Sequence, residues 1–217
     1  MRNAKCEIPN SSCARSRVDL GDERGRDSAF RIFVVSAPSG AGKHAVLHEV
    51  LSRVPNVVFS ISATTRPPRS GERDGRDYYF VDEATFMRRR AAGEFAEWAE
   101  VHGHLYGTLH SELERGVSSG NDVLLQIDVQ GMRNVSKLRP ESVTVFIMPP
   151  SLEVLEKRLR KRGANDEADI ALRLENAQRE MAAANEFDYV VVNNDLESAI
   201  ADVEGIIRAE RCRNRHD

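Results

Sequence analysis

A glycine-rich segment at positions 37–43 has the residue types of a phosphate-binding loop. It reads Ala-Pro-Ser-Gly-Ala-Gly-Lys and lies between a short apolar run and a helical pattern. Glycines let successive backbone N–H groups converge on phosphate oxygens, the N-terminus of the helix adds partial positive charge, and Lys43 reaches the terminal phosphates. The sequence therefore predicts a phosphate-donor site formed by Ala37, Pro38, Ser39, Gly40, Ala41, Gly42, Lys43 and His44.

Two positions of this loop depart from the usual pattern. Ala37 stands where the first glycine is expected, and His44 and Ala45 stand where a hydroxyl side chain should follow the lysine. That hydroxyl ordinarily helps to hold Mg²⁺ beside the phosphates. The second departure therefore concerns metal binding.

A second basic cluster follows at positions 62–69, which read Ser-Ala-Thr-Thr-Arg-Pro-Pro-Arg. Arg66 and Arg69 lie three residues apart around a stiff Pro-Pro pair, so their guanidinium groups can present bidentate donors to one phosphate. A solvated basic loop is the alternative interpretation. The separate phosphate loop and the nearby Tyr78 favour a second phosphate site.

Buried strands and amphipathic helices alternate along most of the chain. Short apolar runs that are typical of buried strands lie at 30–36, 57–61, 122–127, 142–148 and 189–192. Helical patterns separate most of them, because apolar residues recur there at helical spacing. This alternation predicts an α/β fold, with a P-loop parallel sheet that carries helices on both faces.

The alternation breaks between about residue 66 and residue 119. Shorter strands, turns and a helix near 83–92 predict an inserted subdomain of mixed α+β structure. Farther along, the polar, glycine-containing stretch 162–169 interrupts two helices. It suits a mobile, helical lid region at about 158–175.

The two ends of the chain lie outside this predicted domain. Residues 1–29 hold six basic and five acidic side chains and no apolar run, which predicts a disordered extension. A transit peptide is poor in acidic residues and a secretory signal needs an apolar core, so neither signal is expected. The folded domain is expected at 30–212, with a tail at 213–217.

The composition excludes several classes of protein. With 41% hydrophobic and 30% charged residues and a mean hydropathy of −0.46, it is typical of a soluble globular chain. No apolar run approaches the roughly 18 residues of a membrane span. A net charge of −3 gives no long-range attraction for nucleic acid. We expect a small-molecule ligand, a cytoplasmic location, and no membrane or nucleic-acid partner.

The residues of the second basic cluster carry a resemblance to a known family. The positions that match the guanylate kinase signature are Thr64, Thr65, Arg66, Arg69, Glu72, Gly75, Tyr78 and Phe80. The chain resembles this family of P-loop nucleoside monophosphate kinases from about residue 30 to residue 208. The resemblance implies a phosphotransferase that uses ATP and GMP, with a core, a GMP-binding insertion and a lid.

The resemblance also implies which residues bind GMP. The ligands of its phosphate would be Ser62, Arg66, Arg69, Tyr78 and Tyr106. Glu97, in Phe-Ala-Glu-Trp-Ala, resembles the carboxylate that reads guanine, helped by the hydroxyl of Thr108. One carboxylate can accept hydrogen bonds from both N1–H and the 2-amino group of guanine. Adenine would instead direct a lone pair at that carboxylate and leave it unpaired.

On the donor side, Arg162 and Arg173 match the lid arginines of the family and would join the loop lysine in catalysis. Asn193 matches a segment near the base of ATP. Asp128 matches an acid that would hold Mg²⁺, the implied cofactor, indirectly through water. Gln126 departs from the family, which usually has a second acid at that position.

The leading hypothesis is therefore a cytoplasmic guanylate kinase of purine metabolism that uses ATP and Mg²⁺. The acceptor needs no general base, because a GMP phosphate oxygen is already ionised at neutral pH. The alternative is a GMP-binding or scaffolding module on the same fold without turnover, which His44 and Gln126 favour and Lys43 argues against. A kinase for another phosphorylated acceptor is disfavoured by Glu97 and Thr108. The oligomeric state is left open.

Overall fold

The computed structural model describes residues 30–101, 103–161 and 167–214. The predictions for residues 1–29 and for 215–217 lie outside these ranges. In chain order the strands are β1 Ile32–Ser36, β2 Val57–Phe59, β3 Ser62–Thr64, β4 Tyr79–Phe80, β5 Phe95–Val101, β6 His104–Leu109, β7 Asp122–Gln126, β8 Val143–Met148 and β9 Tyr189–Val192. The helices are α1 Lys43–Arg53, α2 Glu83–Ala91, α3 His110–Ser118, α4 Val129–Leu138, α5 Leu152–Lys161, α6 Glu167–Ala182 and α7 Leu196–Cys212.

Five of the described strands form a parallel sheet in the order β2-β7-β1-β8-β9. Its central strand is buried on both faces: Phe33 and Val35 pack with α1 and α7, whereas Ile32 and Val34 pack with α3 and α4. A strand covered on both sides needs a continuous apolar run rather than alternation. The predicted parallel sheet with helices on both faces is therefore confirmed.

The sequence predicted a single strand over the apolar run 57–61. This prediction is wrong, because only the first three residues of the run form a strand. β2 ends at Phe59, and Ser60 donates its N–H to the carbonyl of Leu124 at 3.0 Å as the chain leaves the parallel sheet. β3 then enters a second, mixed sheet in the order β4-β3-β6-β5. Residues with high strand propensity continue across both sheets, so the pattern does not reveal where the chain changes partners. The predicted insertion boundaries at 66 and 119 stay predictions.

Both sheets meet near the carboxyl end of β1. In the parallel sheet Val35 is aligned with Gln126, so the segments that follow β1 and β7 are neighbours. The hydroxyl of Ser36 donates to the carbonyl of Ile127 at 2.8 Å and ties these segments together. Open parallel sheets bind ligands at this edge.

Within the described ranges, no helix has the length and apolar character to cross a membrane.

α2 contacts β5 of the second sheet through Phe86 and through the guanidinium group of Arg90, which lies over the Trp98 ring at 3.8 Å. Phe86 is fully buried and stacks on Phe95 of β5 with ring centroids 4.4 Å apart. Asp82 caps the helix by accepting the N–H of Thr85. Phe86 therefore carries most of the apolar anchoring of this helix.

We expect Phe86→Ala to lower the free energy of unfolding by about 3–5 kcal/mol, because it leaves a cavity against Phe95. The neighbouring Met87→Ala is the control, since Met87 is exposed and its truncation should change stability by only about 0.5 kcal/mol. Urea unfolding of both variants measures the difference. Equal stability of the two variants would contradict this packing.

Candidate functional site

The segment between β1 and α1 has the backbone of a phosphate-binding loop. Gly40 and Gly42 have φ angles of +95° and +93°, which favour glycine. A Cβ at Gly42 would lie 2.5 Å from Nδ2 of Asn193, and one at Gly40 would lie 2.9 Å from Leu159. Of the described side chains, none caps the N-terminus of α1. The N–H groups of the first turn are thus left for a ligand.

Lys43 is the first residue of α1 and lies against the end of β7. Its ammonium donates to the carbonyl of Ile127 at 3.3 Å. Burial lowers the pKa of Lys43 to about 8, although the carboxylates of Glu180 and Asp128 act in the opposite direction. The structure therefore places a buried cation at the phosphate loop, flanked by two acidic side chains.

A central cleft joins this loop to the second sheet. On the donor side it is lined by Ala37, Pro38, Ser39, Gly40, Gly42, Lys43 and His44. On the acceptor side it is lined by Ser62, Tyr78, Glu97 and Tyr106, and the wall between them includes Gln126, Ile127, Asp128 and Glu180. Most of the residues predicted for two separate phosphate sites therefore face one cavity.

Glu97 is held in the cleft by the pairing of β5 with β6. A register shift between Phe95 and Glu97 aligns Glu97 with Thr108. Its Oε1 accepts hydrogen bonds from the hydroxyl of Thr108 at 2.7 Å and from the Thr108 N–H at 3.1 Å. Burial raises the pKa of the Glu97 carboxyl to about 7, and the hydrogen bonds from Thr108 oppose that rise. Oε2 is left for a ligand with paired donors.

Arg66 does not line the cleft itself, but its neighbours hold it against Tyr78 and Tyr106, which do. It is 8% exposed, and its NH2 donates to both oxygens of Glu72 at 2.9 and 3.0 Å. Its Nε donates to the hydroxyl of Tyr106 at 3.2 Å, and Tyr78 and Phe80 lie beneath the guanidinium group. The guanidinium group of Arg66 is therefore held in one position before any phosphate binds.

Arg69 differs from Arg66, although the sequence paired them. Its side chain is exposed, whereas that of Arg66 is buried, and neither arginine lines the central cleft. Its backbone N–H donates to Oε2 of Glu72 at 2.7 Å, so the carboxylate that holds Arg66 also shapes the turn that carries Arg69. The two-arginine clamp stays a prediction, with one arginine fixed and the other free to approach a ligand.

We expect Arg69→Lys to lower kcat/KM for a phosphorylated acceptor by about tenfold, because a compact ammonium cannot make the two parallel hydrogen bonds of a guanidinium group. The matched control is Arg88→Lys, which alters an exposed arginine of the same subdomain. Steady-state kinetics of both variants measure the effect. Full activity in Arg69→Lys would show that the reaction requires only a positive charge at position 69.

The predicted donor-side residues are only partly assembled. Asn193 is buried, and its Nδ2 donates to the carbonyl of Ala41 at 2.7 Å. Arg173 pairs with Asp169 at 2.9 Å and does not line the central cleft. Arg162 lies outside the described residues. The catalytic roles of the two lid arginines therefore stay predictions.

Two residues of the site escaped the sequence analysis. Arg158 of α5 donates to the carbonyls of Ala41 at 3.3 Å and Asn193 at 3.0 Å, which ties the phosphate loop to the end of β9. Glu180 of α6 accepts the backbone N–H of Ser39, and burial raises the pKa of its carboxyl to about 7 while Lys43 opposes that rise. Both lie on helix faces that read as ordinary solvated surface in the sequence.

The side of the cleft that would face a metal ion has few oxygen ligands. Asp128 caps α4, and its Oδ1 accepts the N–H of Gly131 at 2.8 Å, which leaves Oδ2 for a cation or its water. Gln126 and His44 line the same cavity without a negative charge or a hydroxyl group. Among the described residues, no three His, Cys, Asp or Glu side chains are grouped to hold a metal ion. A cation here must take most of its ligands from a bound phosphate and from water.

Comparison with known proteins shows the family to which the chain is similar. A sequence model of the family described as Guanylate kinase matches residues 29–210. A guanylate kinase of Thermotoga maritima is 51% identical over 183 residues, which are 84% of this chain and 88% of the relative. A guanylate kinase of Aromatoleum aromaticum is 50% identical over 188 residues, which are 86% of this chain and 92% of the relative.

A solved structure shares the fold. The crystal structure of guanylate kinase from Anaplasma phagocytophilum superposes with a TM-score of 0.72 at 38% sequence identity. The match covers 86% of this chain and 89% of that chain. The similarity therefore includes both sheets and extends over nearly the whole described domain.

Proposed function

The chain belongs to the guanylate kinase family, and we propose that it transfers the γ-phosphate of ATP to GMP, giving ADP and GDP. The observation that carries this proposal is the position of the Glu97–Thr108 pair in the same cleft as Lys43. A carboxylate that accepts two parallel donors selects guanine, and a phosphate loop beside it supplies the donor. Each half of the reaction thus has its own recognition element in one cavity.

Positioning and charge neutralisation account for the chemistry. An ionised oxygen of the GMP phosphate attacks the γ-phosphorus of ATP, a new P–O bond forms, and the bond to the β,γ-bridging oxygen breaks as ADP leaves. No side chain has to remove a proton from the nucleophile. Arg66 orients the acceptor phosphate, while Lys43 and the backbone N–H groups of the loop bind the charge that spreads over the transferred group.

Asp128 and the phosphates of ATP fit a hydrated divalent cation, and we take Mg²⁺ as the expected cofactor. When bound, the cation would neutralise charge on the β- and γ-phosphate oxygens. Mg²⁺ keeps several of its waters and accepts few protein ligands. Oδ2 of Asp128 would then act through water, as the sequence analysis expects.

The partners that follow from this proposal are ATP and GMP, in the cytoplasm. We expect neither a nucleic acid nor a membrane partner. A coupled assay of ADP release with ATP and GMP, compared with AMP and with no acceptor, tests the proposal. Release that depends on GMP supports it, and equal release with AMP would favour a kinase for another acceptor.

A GMP-binding module without turnover is the second candidate, favoured by the missing hydroxyls and by Gln126. The nearly complete phosphate loop and the intact, buried Lys43 favour the enzyme, because a scaffold has no need of a buried cation at a donor site. Calorimetry with GMP, combined with the assay of ADP release, distinguishes the two candidates. GMP binding without any ADP release would establish the module.

We expect His44→Ser with Ala45→Thr to raise kcat with Mg²⁺ by about tenfold. One regained hydrogen bond to the metal shell, worth about 1.4 kcal/mol in the transition state, accounts for that factor. A Mg²⁺ titration of kcat in the parent and the double variant measures it. Equal turnover in both proteins would make the missing hydroxyls irrelevant.

A further inference from the structure

His44 changes the chemistry at the position that follows the phosphate-loop lysine. In P-loop proteins the residue at this place offers a Ser or Thr hydroxyl to the cation that accompanies the phosphates. Here the side chain is an imidazole, the next residue is Ala45, and Gln126 replaces an acid at the end of the adjacent strand. Compared with the usual pattern, the side chains at this site therefore offer a cation fewer oxygen ligands and one additional nitrogen ligand.

The imidazole of His44 faces the reaction cavity from the first turn of α1. It lines the central cleft together with Lys43 and Asp128. It is also close enough to Asp77 for an electrostatic interaction. His44 thus faces the cleft that the predicted donor and acceptor residues share.

His48 provides a natural comparison one helical turn away. Its ring centroid is 6.5 Å from that of His44, but it does not line the cleft. Its Nδ1 lies 3.8 Å from Oε1 of Glu49, and its side chain is 72% exposed. The two histidines are therefore on the same helix with different access to the substrate phosphates.

The protein contributes few ligands to a cation at this site. No preformed group of three metal-binding side chains exists in the described part of the chain, so phosphates and water must supply the remaining ligands. With so few protein ligands, the identity of one donor atom has a large effect on metal choice. Imidazole nitrogen suits Co²⁺ and other borderline cations, whereas Mg²⁺ prefers oxygen.

We propose that His44 supplies an imidazole nitrogen to the divalent cation of the bound nucleotide, so that this chain prefers Co²⁺ to Mg²⁺. This inference rests on the proposed use of ATP. It assigns His44 a role in cation selection that the hydroxyl of a common P-loop cannot have. It also agrees with the expectation that Mg²⁺ supports faster turnover once hydroxyls replace His44 and Ala45.

The first test is the affinity for a nonhydrolysable ATP analogue with Mg²⁺, Mn²⁺ or Co²⁺, measured by calorimetry. In the parent we expect Kd with Co²⁺ to be about tenfold lower than with Mg²⁺. His44→Ser should abolish this ratio, and His48→Ala should preserve it. A ratio that persists in His44→Ser, or disappears in His48→Ala, would overturn the inference.

The second test detects the bond from a histidine nitrogen to the cation directly, and variants identify which histidine supplies it. Mn²⁺ bound with the same analogue to protein labelled with ¹⁵N-histidine should give a ¹⁵N coupling in pulsed electron paramagnetic resonance. The label separates histidine from the nitrogens of adenine. His44→Ser and His44→Gln should lose the coupling, and His48→Ala should keep it.

The outcomes separate this inference from the proposed function. Bound Mn²⁺ and nucleotide without a histidine coupling would overturn the inference and leave the kinase proposal intact. Failure of the analogue to bind with any of the three cations would overturn both. A histidine coupling that survives in His44→Gln would place the ligand elsewhere and also overturn the inference.

Discussion

Replacing Lys43 with methionine should lower kcat by about 10²–10³-fold, the usual effect of removing one preorganised donor from a transition state. The loss should be at the upper end here, because Glu180 and Asp128 flank the ammonium. Without it, two carboxylates would face the phosphates of ATP unopposed. Methionine keeps the length of the side chain, so the change isolates the charge.

The stability of this variant separates catalysis from folding. Burial lowers the pKa of Lys43 to about 8, which means that the fold disfavours its charged form. We therefore expect Lys43→Met to unfold at the same temperature as the parent or a higher one. Lys137→Met, an exposed lysine of α4, is the control and should retain activity. Turnover within threefold of the parent in Lys43→Met would contradict the role of the lysine.

Glu97→Gln should lower kcat/KM for GMP by about 10–100-fold, because a buried unpaired donor costs about 1–3 kcal/mol. The amide oxygen can keep both hydrogen bonds from Thr108, but the amide nitrogen would then face the donors of guanine. KM for ATP should stay unchanged. Glu100→Gln on the same strand is the control, since Glu100 is exposed.

The pKa of Glu97 adds a pH signature to this prediction. Burial raises that pKa to about 7, so the carboxylate is increasingly protonated as the pH falls below 7 and then accepts one donor fewer. We expect kcat/KM for GMP to fall by about tenfold per pH unit below 7 in the parent. Glu97→Gln cannot titrate, so its profile should lack this component. The same acid limb in both proteins would remove Glu97 from guanine recognition.

The donor loop could be derived from the sequence because its function is local. Its glycines, its lysine and the turn between strand and helix are consecutive, and the structure places nearly all of them around the central cleft. The same is true of the buried strands, since a strand that is covered on both faces must be apolar throughout. In these segments short-range sequence determines both conformation and environment.

Other features depend on partners that are distant in the chain. Glu180 reaches Ser39 from a helix about 140 residues away, and Arg158 bonds to Ala41 across 117 positions. Their own helices offer no signal, because an acidic or basic residue on an amphipathic helix is most often solvated. Only the packing of α5 and α6 on the phosphate loop brings these side chains into the site.

The amino-acid sequence by itself determined the family and the alternating α/β architecture, and it predicted which residue types would bind two phosphorylated ligands. Tertiary structure decided that Arg66 is fixed by Glu72 while Arg69 remains exposed, and that residues 57–64 are shared between two sheets. The reason is physical: periodicity and spacing report how a segment can be buried, but they do not specify what buries it. That choice is made by long-range contacts, which determine burial, charge and hydrogen bonding at each site residue.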